Sequence, residues 1–428
     1  MERIAVIGSG ISGLAAARKL TGAAARGVTL FEAGSHFGGP AHTVDATIEG
    51  VTHGVDTGFL VCNRRTYPGL MRLFAELGVE TVASDMSFSV QQRAQGLEWS
   101  GSNLAGVFAQ RTNLLRPAFW RMLADIARFN RLATRIAMRN EDAALAQPIG
   151  AFLDEHHFGR EFREWYFLPM IGCIWSCPPA QMLAFPIGTL IRFCHNHGLL
   201  QVVDRPQWLS VRGGSRRYVQ RIVEGLADVR LNTPVLGVQR VEAGALLRTA
   251  SGTQYFDQVV FACHSDQALH LLGSDATPTE AQILGAIRYQ PNRAVLHTDE
   301  SLLPARQVAW AAWNYESGAA ESEAGVCLHY LLNRLQPLPW QTPLIVSLNP
   351  VREPRAETVI QRFDYDHPVF DLGAIAAQRR LGEIQGQRRS WYCGAWVGYG
   401  FHEDGLAAGL AVAKALSQAG SAAQRGAA

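Results

Sequence analysis

The sequence predicts an α/β fold built around a dinucleotide-binding unit, and three features near its start predict it. Residues 4–7 form a short apolar strand, a G-x-G-x-x-G follows at residues 8–13, and the alanine-rich stretch 14–20 has a helical pattern. A second apolar strand, residues 28–31, ends at Glu32, about twenty residues after the motif. Strand, glycine turn, helix, strand and acidic residue therefore follow one another at the spacing of a nucleotide site.

Each glycine of the motif has a separate task in such a site. Gly8 makes the tight turn, Gly10 lets the backbone approach a pyrophosphate, and Gly13 permits close packing of helix on strand. The phosphates then lie at the helix N-terminus, next to Ser12. Glu32 can accept hydrogen bonds from ribose hydroxyls and would repel a 2′-phosphate, which predicts FAD or NAD. A glycine-rich turn without a ligand is the alternative.

The composition describes a folded protein with a large interior. The 428 residues exceed the length at which one hydrophobic core stops growing, so we expect two connected domains. Apolar residues make up 48%, and a net charge of +2 gives no electrostatic case for nucleic acid as a partner.

Seven cysteines without a C-x-x-C predict a reducing, cytoplasmic location. Because the first strand is expected at Ile4, we predict no signal peptide, and no apolar run is long enough to span a membrane.

Two further glycine-bearing segments lie between residue 32 and residue 60. Gly38 and Gly39 precede Pro40, and Asp56-Thr57-Gly58-Phe59 follows two alternating strands at residues 44–48 and 51–55. A long cofactor needs such segments where the chain passes along its far half, because side chains there would collide with it. Both patterns are also common in ordinary turns.

Together with the C-terminal stretch 400–409 (GFHEDGLAAG), these segments resemble the FAD-dependent superfamily of monoamine oxidases and phytoene desaturases. More closely, the chain resembles the flavoprotein domain fused N-terminally to plant cyclopropane fatty acid synthases, and its free-standing bacterial relatives. The resemblance extends over nearly the whole chain, and its matching stretches include 66–68 (TYP), 84–90 (SDMSFSV), 108–110 (FAQ), 174–176 (IWS), 213–215 (GGS) and 399–405 (YGFHEDG).

The resemblance implies a Rossmann-like FAD-binding domain of the glutathione-reductase type, discontinuous in sequence, with an inserted α+β substrate domain. Its implied segments are 1–70, 210–285 and 386–416 for FAD binding, and 71–209 and 286–385 for the substrate. Residues 417–428, small and polar, are expected to form a flexible tail. The implied contacts to FAD are Gly8, Gly10, Ser12, Gly13, Glu32, Gly38, Gly39, Thr43, Thr57, Gly58, Phe59, Val235, Gly394, Phe401, Asp404, Gly405 and Leu406.

The resemblance also implies an FAD-dependent oxidoreductase that dehydrogenates a C–C bond of an apolar lipid or fatty-acyl substrate by hydride transfer to flavin N5. A redox-neutral, flavin-dependent isomerase on the same scaffold is one alternative. An amine oxidase is a second, and a non-catalytic FAD-containing protein that binds a lipid or a partner is a third. A fatty-acid-modifying methyltransferase is an expected partner on the same ground.

Two departures from the superfamily pattern bear on the chemistry. Amine oxidases of the superfamily commonly place a lysine near flavin N5, but the two lysines here, Lys19 and Lys414, lie on predicted helices of the nucleotide unit. Dehydrogenation between carbons is therefore favoured over amine oxidation. Pro40 stands where an arginine or histidine is expected after the Gly-Gly pair, and it offers neither a side-chain contact nor a backbone donor.

Two residues are candidates for catalysis. His402 precedes the last predicted helix, and Tyr399 beside it can donate a proton or bind a substrate headgroup, although both can equally be packing residues. His42 is a candidate for flavin contact, with an ordinary loop histidine as the alternative. Cys173 and Cys177, one helical turn apart, are expected to be buried thiols.

Residues 119–139 have the pattern of an amphipathic helix that carries five arginines. Such a basic helix can lie on an anionic membrane, or it can be a solvated helix of the substrate domain. Both interpretations stay open, so contact with the inner membrane surface is retained as an expectation. His156 and His157 adjoin two acidic residues, but adjacent side chains on a helix point apart, so we predict no metal site.

Overall fold

The computed structural model describes residues 1–22, 26–139, 147–175, 178–201, 205–317 and 326–426. Within these ranges the strands are β1 (Glu2–Ile7), β2 (Arg26–Phe31), β3 (Thr43–Ile48), β4 (Val51–Asp56), β5 (Cys62–Asn63), β6 (Thr81–Ser84), β7 (Phe88–Gln92), β8 (Leu97–Ser100), β9 (Trp208–Val211), β10 (Asp228–Arg230), β11 (Gly237–Val241), β12 (Gly244–Thr249), β13 (Gly252–Phe256), β14 (Gln258–Phe261), β15 (Arg288–His297), β16 (Trp313–Glu316), β17 (Cys327–Leu331), β18 (Ile345–Leu348), β19 (Val359–Val369) and β20 (Ser390–Tyr392). The α-helices are α1 (Ile11–Thr21), α2 (Pro68–Leu77), α3 (Leu104–Val107), α4 (Pro117–Arg139), α5 (Ile149–Glu155), α6 (Arg160–Phe162), α7 (Leu168–Trp175), α8 (Pro179–Leu183), α9 (Ile187–Asn196), α10 (Arg216–Glu224), α11 (Ser265–Leu272), α12 (Pro278–Gly285), α13 (Leu332–Leu335), α14 (Leu372–Arg380) and α15 (His402–Gly426).

A five-stranded parallel sheet carries the predicted dinucleotide-binding unit. Its strand order is β10-β2-β1-β14-β20, and every neighbouring pair is parallel. Parallel neighbours need long crossovers, so strands from both ends and the middle of the chain meet in this sheet. The result is a mixed α/β fold, as predicted, and it is consistent with a Rossmann-like FAD-binding domain.

Alternate residues of β1 belong to two different cores, because side chains alternate across a strand. Ile4 and Val6 join the core that includes α1 and α15. Ala5 and Ile7 join the core that includes the antiparallel sheet β11-β12-β13. The parallel sheet is therefore the middle of three layers.

A seven-stranded sheet forms the second large layer, in the order β19-β15-β18-β17-β16-β7-β8. All its pairs are antiparallel except β7 with β16. Its strands come from segments 88–100 and 288–369, and the helices α4 to α9 lie between β8 and β9 in the chain. The sheet and these helices have the mixed α and β character expected of a substrate domain, although the predicted boundaries of the two domains stay a prediction.

Residues 252–256 and 258–261 belong to two different sheets, and between them the Asp257 amide donates to the carbonyl of Arg3 at 2.8 Å. Residues 417–426, predicted as a flexible tail, continue α15, since alanine and glutamine favour a helix, and residues 427–428 lie outside the described ranges. One apolar face of α4, formed by Phe119, Met122, Phe129, Ala133 and Ile136, is buried inside the protein. No helix of the described ranges has both the length and the apolar character needed to cross a bilayer.

Candidate active site

A cavity of about 910 Å³ begins at the glycine motif and is lined by residues of both large sheets and of α9. This volume lies near the upper end of the range for small-molecule sites. We call the part formed by the loops around the motif the glycine end. We call the rest, lined mainly by aromatic and aliphatic side chains, the aromatic end.

The glycine turn between β1 and α1 leaves open space above the helix start. Gly8 has a φ of +103°, and its amide donates to the carbonyl of Phe31 at 2.8 Å. A Cβ on Gly13 would lie 1.9 Å from the carbonyl oxygen of Gly8, whereas one on Gly10 would meet no atom within 4 Å. Gly8 and Gly13 thus hold the turn against the helix. Gly10 lines the cavity instead, together with Ser12.

Glu32 holds its carboxylate beside this turn. It accepts hydrogen bonds from the backbone amides of Ser9, at 3.0 Å, and Gly34, at 2.7 Å, and it also bonds to the Ser9 hydroxyl. Glu32 lines the cavity as well. An acidic group at the end of the second strand is where a ribose is bound in dinucleotide sites.

The two other glycine segments of the N-terminal region pass next to this turn. The Gly38 amide donates to the carbonyl of Ser9 at 3.1 Å, and the Phe59 amide donates to the carbonyl of Pro40 at 2.8 Å. A Cβ on Gly58 would lie 2.3 Å from the Pro40 oxygen, so only glycine allows these loops to approach so closely. Pro40 lines the cavity, and its carbonyl oxygen is used in the loop contact.

The segment after β20 closes the cavity from the C-terminal side. Gly394, Phe401 and His402 line it. Asp404, in the first turn of α15, accepts hydrogen bonds from the amides of Tyr399, at 3.1 Å, and Phe401, at 2.9 Å. Burial raises the pKa of the Asp404 carboxyl to about 6. The Asp404 carboxyl therefore fixes the turn between β20 and α15, although burial of its negative charge is unfavourable.

The residues of the glycine end fit a dinucleotide. Gly10 leaves a cradle that a side chain would fill, Glu32 offers the acidic partner for a ribose, and the first residues of α1 face the cavity. The first helical backbone bond of α1 runs from the Leu14 amide to the Gly10 carbonyl at 3.0 Å, so the earlier amides are available to phosphate oxygens.

The aromatic end is formed mainly by uncharged side chains, and the acidic residues that line the cavity as a whole are Glu32, Asp266 and Asp366. Phe193 of α9 stacks on Phe401 with ring centroids 4.8 Å apart and an angle of 17°. The apolar and aromatic side chains of this end are Val61, Tyr67, Met86, Cys173, Ile174, Phe193, Leu199, Trp208, Trp313, Tyr330 and Phe401. Across the described lining of the whole cavity there is neither a lysine nor an arginine. Such a surface suits an uncharged, apolar ligand.

His197 is a polar group within the aromatic end. Its Nδ1 donates to the carbonyl of Phe193 at 2.9 Å, and its ring stacks on Phe193 with centroids 3.9 Å apart. Burial lowers the pKa of His197 to about 4, so the imidazole is neutral at physiological pH. Because Nδ1 carries the proton, Nε2 keeps a lone pair and can accept one.

His367 of β19 also lines the cavity and has the opposite tautomer. The amide oxygen of Asn292 accepts from Asn349 at 2.7 Å, so the amide nitrogen of Asn292 faces Nδ1 of His367, at 3.2 Å. Nδ1 is therefore the acceptor and Nε2 carries the proton. Burial lowers the pKa of His367 to about 4. The cavity thus offers a donor at His367 and an acceptor at His197.

The two predicted catalytic residues differ in position. His402 lines the cavity, stacks on Phe59 at a centroid distance of 4.0 Å, and has the Tyr218 hydroxyl 2.6 Å from Nε2. Burial lowers the pKa of His402 to about 3, which makes it a poor proton donor at neutral pH. Tyr399 lies outside the cavity lining. His42 also lies outside it, stacked on His36 with ring centroids 3.7 Å apart.

The predicted cofactor contacts fall into two groups. Those that line the cavity are Gly8, Gly10, Ser12, Glu32, Gly39, Gly58, Phe59, Val235, Gly394 and Phe401. Those that lie outside its lining are Gly13, Gly38, Thr43, Thr57, Asp404, Gly405 and Leu406.

Several members of the second group have packing or hydrogen-bonding roles. Thr43 donates to Asp56 at 2.5 Å, and the Thr57 hydroxyl lies 2.8 Å from the Tyr365 hydroxyl. A Cβ on Gly405 would lie 3.0 Å from the Ser12 hydroxyl, so Gly405 lets α15 approach α1. These residues position the walls of the glycine end.

The residues that sequence reasoning missed are His197, His367 and Trp208. None lies in a motif, and only the repeated histidines at 195 and 197 near the end of a helix gave a signal. Cys173 is buried, as expected, and lines the cavity. Cys177 lies outside the described residues.

A buried polar group that the sequence did not suggest lies in the seven-stranded sheet. Nε2 of His329 is 2.9 Å from Glu316 and 3.5 Å from the sulfur of Cys327, a set of ligand types that could hold an ion. Nδ1 of His329 lies 2.6 Å from the Ser347 hydroxyl, and Arg93 pairs with Glu316 at 2.5 Å. Hydrogen bonds and an ion pair therefore already satisfy this group.

Comparison with known proteins places the chain among flavin enzymes. A model of the flavin containing amine oxidoreductase family matches residues 11–321. (S)-6-hydroxynicotine oxidase from Paenarthrobacter nicotinovorans is 26% identical over 250 residues, which are 55% of this chain and 53% of that protein. The chain thus matches about half the length of this curated relative.

Solved structures share the fold over nearly the whole chain. A CLA-producing fatty acid isomerase from P. acnes superposes with a TM-score of 0.70 at 14% identity, over 97% of this chain and 98% of that one. Putrescine oxidase gives a TM-score of 0.67 at 17% identity, over 97% and 99% of the two chains. Cyclohexylamine oxidase from Brevibacterium oxydans gives 0.66 at 18% identity, over the same shares. At sequence identities this low, the structural similarity shows that the fold is shared.

Proposed function

The chain belongs to the flavin-containing amine oxidoreductase family, which makes it a flavin oxidoreductase with FAD as its cofactor, and we propose that it dehydrogenates a C–C bond in the acyl chain of an apolar lipid. The observation that carries this proposal is the aromatic end of the cavity, where apolar and aromatic side chains cluster, together with the absence of lysine and arginine from the described lining of the whole cavity. A free fatty acid would need a cation for its carboxylate, so an esterified acyl chain fits better.

In this proposal the two ends of the cavity have different roles. When bound, FAD supplies the two-electron oxidant for such a reaction. The glycine end holds the nucleotide, and the aromatic rings exclude water and orient an apolar chain. Dehydrogenation also releases a proton from the substrate, and Nε2 of His197 is the acceptor that the aromatic end offers. The N–H of His367 is available to a carbonyl oxygen of the substrate.

Amine oxidation is a second candidate, because the matched curated relative is named an oxidase of (S)-6-hydroxynicotine and an uncharged amine would also fit an apolar cavity. Against it, the described lining contains no lysine. A redox-neutral isomerisation is a third outcome of the same cavity, and the shared fold of a fatty acid isomerase supports it only at the level of architecture.

Anaerobic titration of the purified, FAD-loaded protein separates these candidates. We expect a phospholipid with saturated acyl chains, dispersed in detergent, to bleach the visible flavin band, with one new double bond formed for each flavin reduced. Bleaching by secondary or tertiary amines alone would replace the proposal with amine oxidation. A rearranged lipid without bleaching would replace it with isomerisation, and inertness toward every lipid would reject it.

A further inference from the structure

The outward stripe of α4 has the composition of a membrane-contacting surface. Side chains spaced by three or four residues share one face of a helix, and the exposed face of α4 carries Trp120, Ala124, Ala127, Arg131, Arg135 and Met138. Trp120 is 49% exposed and Met138 is 74% exposed. With 23 residues, the helix is about 34 Å long. Aromatic and sulfur-containing side chains at its ends and arginines between them match an interfacial helix.

The residues before α4 extend this surface with exposed leucines. Leu104 is 79% exposed and Leu115 is 86% exposed, although neither is near a chain end. The indole N–H of Trp120 donates to the carbonyl of Leu114 at 3.0 Å, and the Trp120 ring lies 5.6 Å from that of Phe108. These contacts hold residues 108 and 114 against α4, and we call the outward stripe of α4 together with the exposed Leu104, Leu114 and Leu115 the docking surface.

The docking surface is predominantly positively charged. Between residues 101 and 139 there are seven arginines and a single acidic residue, Asp125. Asp125 is already paired with Arg128 at 3.0 Å, and Glu161, the acidic group beside α4, is paired with Arg121. Within the described contacts, Arg111, Arg116, Arg131 and Arg135 have no acidic partner. An ordinary solvated helix would carry acidic residues among these cations.

The docking surface also borders the cavity. Arg131, Arg135 and Met138 line a surface groove of about 580 Å³ together with Leu200. The preceding residue, Leu199, lines the cavity. The groove and the cavity are therefore separated by the Leu199–Leu200 segment.

We propose that the docking surface seats this protein on an anionic lipid bilayer, with the leucines and Trp120 at the depth of the headgroups and the arginines against lipid phosphates. The groove beside Leu200 would then face the bilayer. This proposal goes beyond the proposed function, and its central test does not require turnover.

Flotation of the FAD-loaded, full-length protein with vesicles tests the docking surface. We expect binding to vesicles of phosphatidylcholine with phosphatidylglycerol, weaker binding at high salt, and little binding to phosphatidylcholine alone. The Arg131→Gln/Arg135→Gln variant should lose about 30-fold in partitioning, since each arginine near an anionic surface contributes about fivefold. The Leu114→Ser/Leu115→Ser variant should also lose binding.

A matched control uses another surface helix. Leu372→Ser/Arg379→Gln changes one exposed leucine and one exposed arginine on α14 and should leave vesicle binding unchanged. Visible flavin spectra confirm that each variant is folded. Absence of binding by the wild-type protein, equal binding by the arginine variant, or self-association through these leucines without vesicle binding would each overturn the proposal. A variant that no longer binds vesicles but still oxidises detergent-dispersed lipid separates docking from the proposed function.

Discussion

The glycine end and the aromatic end of the cavity are built on different principles. At the glycine end the walls are backbone atoms, and a single added Cβ at Gly13 would lie 1.9 Å from a carbonyl oxygen. At the aromatic end the walls are side chains from several distant elements, stacked as Phe193 is on Phe401. At positions such as Gly13 and Gly58 the loops that form the first end leave no room for an added atom, whereas the second end can change its chemistry while the fold stays intact.

Gly13→Ala should give the largest effect, because a methyl group there collides with backbone that cannot move without opening the turn. We expect a loss of at least about 3 kcal/mol in the free energy of unfolding and no retained flavin. Gly10→Ala is the matched substitution, since its Cβ would meet no atom. It should fold normally but lose FAD, because the methyl group occupies the cradle.

Denaturant unfolding and the visible spectrum, measured on both variants, check this pair. If Gly13→Ala unfolds like the wild type, or if Gly10→Ala keeps its flavin, the division of tasks between the two glycines is wrong.

His197→Ala tests the aromatic end, where we expect function to change and the fold to persist. Loss of a positioned proton acceptor should lower kcat by between about 10² and 10⁴-fold while flavin content stays at the wild-type level. His195→Ala, two residues earlier on α9 and outside the cavity lining, is the control and should leave kcat unchanged.

A purely structural role for His197 would give a different pattern. His197→Gln keeps a group that can accept a hydrogen bond but not a proton, so full recovery of kcat in that variant would argue against proton transfer at Nε2. A loss confined to KM would assign His197 to substrate binding alone.

The Asp404→Asn variant tests the segment between β20 and α15, which joins the two ends of the cavity. Burial raises the pKa of this carboxyl from 3.8 to about 6, so the folded state favours its protonated form. The stability contributed by this group is thus present below about pH 4 and is lost as the pH rises to about 6, by roughly 3 kcal/mol in all. Asparagine keeps an oxygen acceptor for the amides of Tyr399 and Phe401 without a buried charge.

The measurement is the difference in unfolding free energy between Asp404→Asn and the wild type across this pH window. We expect the variant to gain relative stability as the pH rises from about 4 to about 6. A difference that is constant across the window would mean that Asp404 is not protonated in the folded protein near its lower end.

The sequence predicted most of the glycine end at the level of single residues. Gly8, Gly10 and Glu32 all line the cavity, because a nucleotide turn is a local arrangement whose spacing is set by covalent geometry. The predicted helix at residues 119–139 is present as α4, since its apolar period is visible in the sequence. The apolar period did not decide what the helix packs against, because the same apolar face can be buried in the protein or in a membrane.

The aromatic end could not be predicted in this way. His197 directly follows α9, Trp208 belongs to β9 and His367 to β19, and no spacing in the sequence relates them. Their tautomers depend on partners such as the Phe193 carbonyl and the Asn292 amide, which tertiary folding brings into contact.

The sequence by itself determined the strand, glycine turn and helix at the start of this chain, because glycine positions and strand periods encode backbone geometry over short distances. The tertiary structure alone decided which side chains line the remaining wall of the cavity, which of the histidines there can accept a proton, and which face of α4 is left to the solvent. Those properties depend on burial and on contacts between residues far apart in the chain, and the strength of an electrostatic or apolar interaction is set by what surrounds a group rather than by its neighbours in sequence.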